Sequence, residues 1–198
     1  MHRRALVFHL KRMGRPKGFT REEVLTKAIT LFWEKGLSDT TLQDLERVTG
    51  VNKSGLYTEF RNKDDIFIES LRYYLDTRGG DDILSREPKG WDNVRRFLEI
   101  GHTCYSGRRG CFAVNSLRDG ARLPPEAMKV VDENNAKLKR LLTSNIRAES
   151  PRLADPGMLT DMIFTFFAGL CIEQNSKVPP AMAKKKIARF MAFLVDAE

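Results

Sequence analysis

Between Asn52 and Phe60 the chain sets Lys53, Ser54, Gly55, Tyr57 and Thr58 close together: one cation, three hydroxyls and one residue without a side chain. That set suits a polyanion. An ammonium pairs with phosphate or with the acceptor edge of guanine, hydroxyls donate to phosphate oxygens, and glycine permits close backbone approach. A second group, His102, Cys104 and Cys111, flanks Arg108 and Arg109. Neighbouring guanidinium groups favour a thiolate, the basis of a redox or electrophile sensor at Cys104 or Cys111, and the histidine with two thiols also carries metal donors. Enzyme motifs are missing: there is no GxSxG elbow, phosphate-binding glycine loop, HExxH pair or CxxC pair, and Glu22-Glu23 read as capping and surface. Neither an enzyme nor a cofactor is expected.

The elements that must hold the first group follow from spacing. Thr20-x-x-Glu23 opens a helix with Val24, Leu25, Ala28, Ile29, Leu31 and Phe32 on its apolar side, and Gly36 stops it. Thr40-Thr41 caps a short helix with Leu42, Leu45 and Val48 inward, Gln43 returning the capping bond to Thr40. After Thr49-Gly50-Val51, Asn52 caps Lys53–Glu59, whose inward residues are Val51, Leu56 and Phe60. Two short helices around a glycine turn fit a helix-turn-helix with the polar face outward. Asn62 and Asp65 start a fourth helix that runs through Leu75 to Gly79-Gly80.

Helical periodicity continues in Trp91–Cys104, Cys111–Gly120, Pro124–Glu149, Pro156–Gln174 and Pro179–Ala197, and no segment alternates as a strand. The expected fold is all-α with about nine helices. A basic arm (1–19) leads into a three-helix head joined by the fourth helix (20–78), followed by a helical body (79–198). The apolar start Ala5–Phe8 is too short for an export signal, and no run near bilayer length is expected, so the cytoplasm is the expected location, with no membrane partner. Three cysteines without an export signal read as reduced thiols. Of the net charge of +8, residues 1–63 carry +6, with 13 of the 34 Lys/Arg and 7 of the 26 Asp/Glu, which draws the head toward a polyanion.

The runs from Thr40 to Leu45, from Thr49 to Phe60 and from Asn62 to Asp65 closely resemble the DNA-binding signature of the TetR/AcrR regulator family. The resemblance implies phosphate contacts from Thr41, Tyr57 and Lys63, and base readout by Gln43, Lys53, Ser54, Gly55 and Thr58; Arg15 is placed to enter a minor groove. Glu59 departs from the pattern, since many relatives carry histidine there. The implied partners are double-stranded operator DNA, a second copy of the chain and a small-molecule inducer. The last two helices would form the homodimer seam through Met162, Phe166, Phe167, Phe190, Phe193 and Leu194. Trp91, Phe97, His102, Tyr105, Phe112 and Asn115 are the candidates for enclosing the inducer. Repression is the implied activity; activation, or thiol-based regulation through Cys104 and Cys111, remains open.

Overall fold

The computed structural model describes residues 18–101, 104–105, 108–175 and 179–196. Among them the chain forms α1 (Arg21–Lys35), α2 (Leu42–Thr49), α3 (Lys53–Glu59), α4 (Lys63–Arg78), α5 (Gly80–Ser85) and α6 (Trp91–Ile100). A two-residue antiparallel pair follows, β1 (Cys104–Tyr105) with β2 (Arg108–Arg109), then α7 (Phe112–Ser116) and a 3-10 turn at Leu117–Arg122. The long helices α8 (Pro125–Glu149), α9 (Pro156–Glu173) and α10 (Pro180–Asp196) complete the body. The fold is all-α, as expected. Three details differ: α5 and the small strand pair were not foreseen, and the segment expected as one helix from Cys111 breaks into α7 and the 3-10 turn, where Gly120 leaves helical geometry at φ 53°.

Local capping places the head helices. The Thr20 hydroxyl accepts from the Glu23 amide at 3.1 Å while the Glu23 carboxylate accepts from the Thr20 amide at 2.9 Å. In α2 the reciprocal pair is Thr41 with Asp44, not Thr40 with Gln43. Thr40 is buried instead, its hydroxyl donating to the Gly36 carbonyl at 2.6 Å. The Asn52 and Asn62 side-chain oxygens accept from the Gly55 and Asp65 amides, each at 2.8 Å, and so start α3 and α4. Leu45 and Leu56 are fully buried beneath the turn, each contributing about 2 kcal/mol through burial.

Head and body share one core. Trp33 of α1 packs on Tyr74 of α4 (5.6 Å between ring centroids) and on Phe112 of α7 (5.9 Å), and Phe112 also meets Phe67 at 5.8 Å. A polar clasp reinforces the join: Arg118 donates to the Glu34 carbonyl at 3.0 Å, and Asp119 accepts from the Leu37 amide at 2.8 Å. Gly36, at φ 83°, lies so close to the Asp119 carboxylate that a Cβ there would sit 2.9 Å from it. Within the body, buried Asn145 of α8 accepts from the Gly90 amide and from Asn93 at 2.9 Å each, and donates to the Leu84 and Leu141 carbonyls at 2.8 Å each. One side chain thus ties α5 and α6 to α8.

Contrary to expectation, one described helix is long and apolar enough to cross a membrane by length and composition: α9, with a mean hydropathy of 1.2. Its inward face, Ile163, Phe167, Leu170 and Cys171, is core, whereas Met158 and Met162 are more than half exposed.

Candidate nucleic-acid interface and body cavity

The three short head helices present a polar surface from a buried base. On α3, Leu56 is sealed inside, while Lys53, Ser54, Tyr57 and Thr58 are exposed. Lys53 reaches over the Tyr57 ring with its ammonium 5.9 Å from the centroid, a contact that keeps both side chains on the same outward face. The Thr58 hydroxyl donates back to the Gly55 carbonyl at 2.6 Å, leaving its oxygen outward as an acceptor. Gln43 and Thr41 are exposed beside this face.

Two of the residues expected at the duplex also have close partners within the protein. Gly55 faces inward: a Cβ on it would lie 2.7 Å from Val51 and 3.3 Å from Asn52. Its missing side chain therefore lets α3 settle onto the preceding turn. Lys63 is partly buried, and its ammonium donates to the Leu37 and Thr40 carbonyls, both at 2.8 Å. In the free protein it holds the α1–α2 loop. Glu59 is half-buried, and its backbone carbonyl accepts from Arg21 at 2.7 Å. Arg15 lies outside the described residues. Residues 18–63 hold seven Lys/Arg and seven Asp/Glu, so the positive excess of 1–63 resides in residues 1–17, with six cations and no acid.

Electrostatics around α2 reinforce its position. The Asp44 carboxyl is held well below the usual carboxylate range by the Lys35 ammonium, then by the Thr41 hydroxyl and amide. Lys35 stands 3.0 Å and Arg47 2.6 Å from it. A charged Asp44 in the first turn also complements the helix dipole.

In the body, a cavity of about 110 Å³ opens between α4, α5, α6, α7, α8 and α9. Phe97 lines it, as expected, with Tyr74, Phe164 and Phe167 as further aromatic walls; Arg78, Asp81, Asn134 and Asn135 supply polar groups. Phe97 stacks on Phe167 at 4.5 Å. Three of the other inducer candidates lie elsewhere. Phe112 is sealed in the head–body aromatic cluster, Asn115 is buried and donates to the Cys111 carbonyl at 2.9 Å, and Trp91 lines a shallow apolar depression with Met158, Met162 and Phe193. His102 lies outside the described residues, and Tyr105 is described only by its backbone in β1. Tyr74 and Phe164, not foreseen, come from helices assigned to other tasks; no local spacing could have brought them to this wall.

The expected seam residues divide. Met162 and Phe193 are 53% and 64% exposed, and Phe166 stacks on Phe190 with centroids 4.1 Å apart at the partly open surface of α9 and α10. Phe167 and Leu194 are buried in the protomer's own core and are corrected accordingly: on a helix, neighbours in sequence point about 100° apart, so Phe166 and Phe167 face different ways.

Cys111 also lines the cavity. Its partner is Cys171 of α9, which lowers the Cys111 thiol by donating to it, helped by the Val114 amide and the Tyr74 hydroxyl against the opposing effect of burial. The same contact, together with burial, pushes Cys171 up. The side chain of Cys104 is outside the described set. Among the described residues no three His, Cys, Asp or Glu side chains group as a metal would require.

Comparison with known proteins gives a consistent picture. Residues 24–69 match the model for bacterial regulatory proteins of the tetR family. The HTH-type transcriptional repressor ComR of Escherichia coli K12 is 27% identical over 173 residues, 82% of each chain. The HTH-type transcriptional repressor BdcR of the same organism is 25% identical over 79% of this chain and 80% of its own. Among solved structures, a cysteine mutant of the TetR family regulator CifR, complexed with 26-base-pair operator DNA, superposes with a TM-score of 0.74 at 24% identity, covering 90% of this chain and 98% of that one.

Proposed function

Because the chain belongs to the TetR/AcrR family of DNA-binding transcriptional regulators, we propose that it is a repressor acting in the cytoplasm as a homodimer on operator DNA and released by a small-molecule inducer. The observation that carries this reading is the exposed polar face of α3 set on a buried three-helix base. A seven-residue helix makes few contacts, so two copies must read two half-sites about 34–36 Å apart. The apolar surface left open by Met158, Met162, Ile172 and Phe193 supports α9 and α10 as the seam between copies. Repression follows the activity named for ComR and BdcR.

In this reading Arg15, Thr41, Gln43, Lys53, Ser54, Gly55, Tyr57, Thr58 and Lys63 meet DNA from the arm and head, 1–78, while the body, 79–198, binds inducer in the cavity beside α4. That helix carries Tyr74 and Arg78 on the cavity wall and begins at Lys63 under the α1–α2 loop. An inducer that fits one orientation of α4 better than another shifts the spacing of the two heads; equal affinity for both orientations would shift nothing. The walls favour a small, largely apolar molecule with one or two polar groups.

The test is a mobility-shift titration with the DNA flanking this gene, repeated across a salt series and with small apolar candidates. Tight binding that weakens steeply with salt is expected, with release by at least one candidate. Binding that ignores salt would sink the docking, and a body indifferent to every ligand that occupies its cavity would sink the inducer reading.

A further inference from the structure

Two free, buried thiols, sixty positions apart in sequence, meet where α7 packs on α9: Cys111, at the start of α7, lines the cavity, and Cys171, near the end of α9, lies beside it. The surrounding backbone is shaped to bring them together. Gly110, at φ 91°, packs so tightly on α9 that a Cβ there would lie 2.6 Å from the Cys171 carbonyl oxygen, and a Cβ on Gly101 would lie 3.3 Å from the Cys171 sulfur. Two glycines therefore clear the space around one cysteine. Cys111 faces the cavity, a route by which a small reagent reaches an otherwise enclosed pair. The Tyr74 hydroxyl lies against Cys111, and the Tyr74 ring packs on Trp33 of the head and on Phe112. The sulfurs are thus mechanically close to α4 and α1.

We propose that Cys111 and Cys171 form a hydroperoxide-sensitive dithiol whose closure to a disulfide lowers operator affinity. The inference rests on the reading of the chain as a DNA-binding regulator controlled through its body. It adds to the sensor thiol expected from sequence at Cys104 or Cys111 a partner that was not foreseen, because the thiol beside Cys111 comes from α9.

Polarity assigns the roles. Cys111 is the sulfur shifted toward thiolate and Cys171 the one that keeps its proton. The Cys111 thiolate attacks one peroxide oxygen; the S–O bond forms as the O–O bond breaks, and the departing oxide takes a proton to leave as water or an alcohol. Cys171 sulfur then attacks Cys111 sulfur, the S–S bond forms, and the S–O bond breaks. The released hydroxide takes the Cys171 proton to give a second water. Two thiols lose two electrons and the peroxide gains them. Sulfurs in hydrogen-bond contact must move closer to bond, to about 2.05 Å, and that pull draws α7 toward α9 and disturbs the acceptor of Tyr74. The aromatic cluster transmits the change to Trp33 in α1.

The experiment uses the full chain, reduced or treated with hydrogen peroxide, with two readouts. Peptide mass mapping under non-reducing conditions should find the Cys111 and Cys171 peptides joined with the loss of two hydrogens, and binding to the flanking DNA should fall at least tenfold, recovering with reductant. Cys171→Ser should bind like the untreated protein, form no linked peptide, trap sulfenic acid at Cys111 with dimedone, and lose the peroxide response; Cys104→Ser should respond normally. A wild-type map without the link, or with Cys104 joined to Cys111 instead, overturns the assignment without needing any variant to fold. A formed link with unchanged operator affinity overturns the regulatory role. Failure of the reduced protein to bind DNA would instead count against the proposed function, and the peptide map would still decide the thiol chemistry.

Discussion

On α3, Lys53, Ser54, Tyr57 and Thr58 stand in water on a helix fixed by the Asn52 cap and the buried Leu56; in the body cavity, Arg78, Cys111 and Asn134 stand among apolar walls. Water competes for every contact the first region makes, so each is individually modest, and selectivity has to come from several held in register. The second region excludes most water, so one hydrogen bond or charge has a larger effect on its neighbours. A surface can be read one side chain at a time, whereas a cavity acts through what its wall forces on the helices behind it.

Register across two copies is where the comparison is most easily broken. With Met162→Glu and Phe193→Glu together, charge enters the exposed apolar face of α9 and α10 while the protomer core is left alone. Sedimentation should then report monomers, and operator affinity should drop on the order of a hundredfold or more as the paired half-sites are lost. A dimer that survives with full affinity would move the seam elsewhere.

Next in size is the reading residue itself. Lys53→Ala should cost about 1–3 kcal/mol at its base position, about ten- to a hundredfold on operator DNA, with a far smaller loss on random sequence. Lys63→Ala provides the contrast, because its ammonium supports the Leu37 and Thr40 carbonyls; it should lower the melting temperature as well as affinity. An unchanged melting temperature with a reduced salt slope would assign Lys63 to phosphate rather than to the loop.

The body can be weakened without touching the reading face. Asn145→Leu leaves the Gly90 amide and the Leu84 carbonyl without their buried partner, a loss of about 3 kcal/mol, lowering the melting temperature by about 6–12 °C in a chain of this size. Well below that temperature, operator affinity should stay within about twofold of wild type. A large loss of DNA binding in a still-folded variant would show that the body's polar clasp sets head geometry directly.

The two regions were unequally legible in the sequence, for a physical reason. Head contacts are local: Asn52, Leu56 and Tyr57 lie within six positions, and capping plus helical period decides which way each points. Even so, the intramolecular partners of Gly55 and Lys63 were not legible, because the first depends on Val51 and the second on carbonyls more than twenty residues away. The cavity is assembled from six helices, and which aromatic faces it depends on crossing angles that periodicity does not contain. Phe97 was found, Phe112 and Trp91 were misplaced, and the Cys111–Cys171 contact had no local signature at all.

A smaller effect tests the seam between head and body. Asp119→Ala removes the acceptor of the Leu37 amide while Arg118 still holds the end of α1. Hydrogen exchange at Leu37 should quicken by about tenfold, corresponding to roughly 1.4 kcal/mol of local opening, with exchange along α3 unchanged. Equal acceleration on α3 would mean that the clasp stabilises the whole head rather than its junction.

The smallest effect concerns the charge that starts α2. Asp44 is partly buried, and its folded carboxyl is held below the ordinary range by Lys35 first and Thr41 second. A depressed carboxylate stabilises the fold above its unfolded pKa of about 3.9 and loses that stabilisation as pH falls through the lower folded value. Asp44→Asn should therefore melt slightly earlier than wild type at pH 7, and the gap should narrow once the pH drops below about 4. Melting curves of the two proteins from neutral to acid pH would check the sign, and a gap that widens in acid would mean that the charge of Asp44 is not what holds the turn.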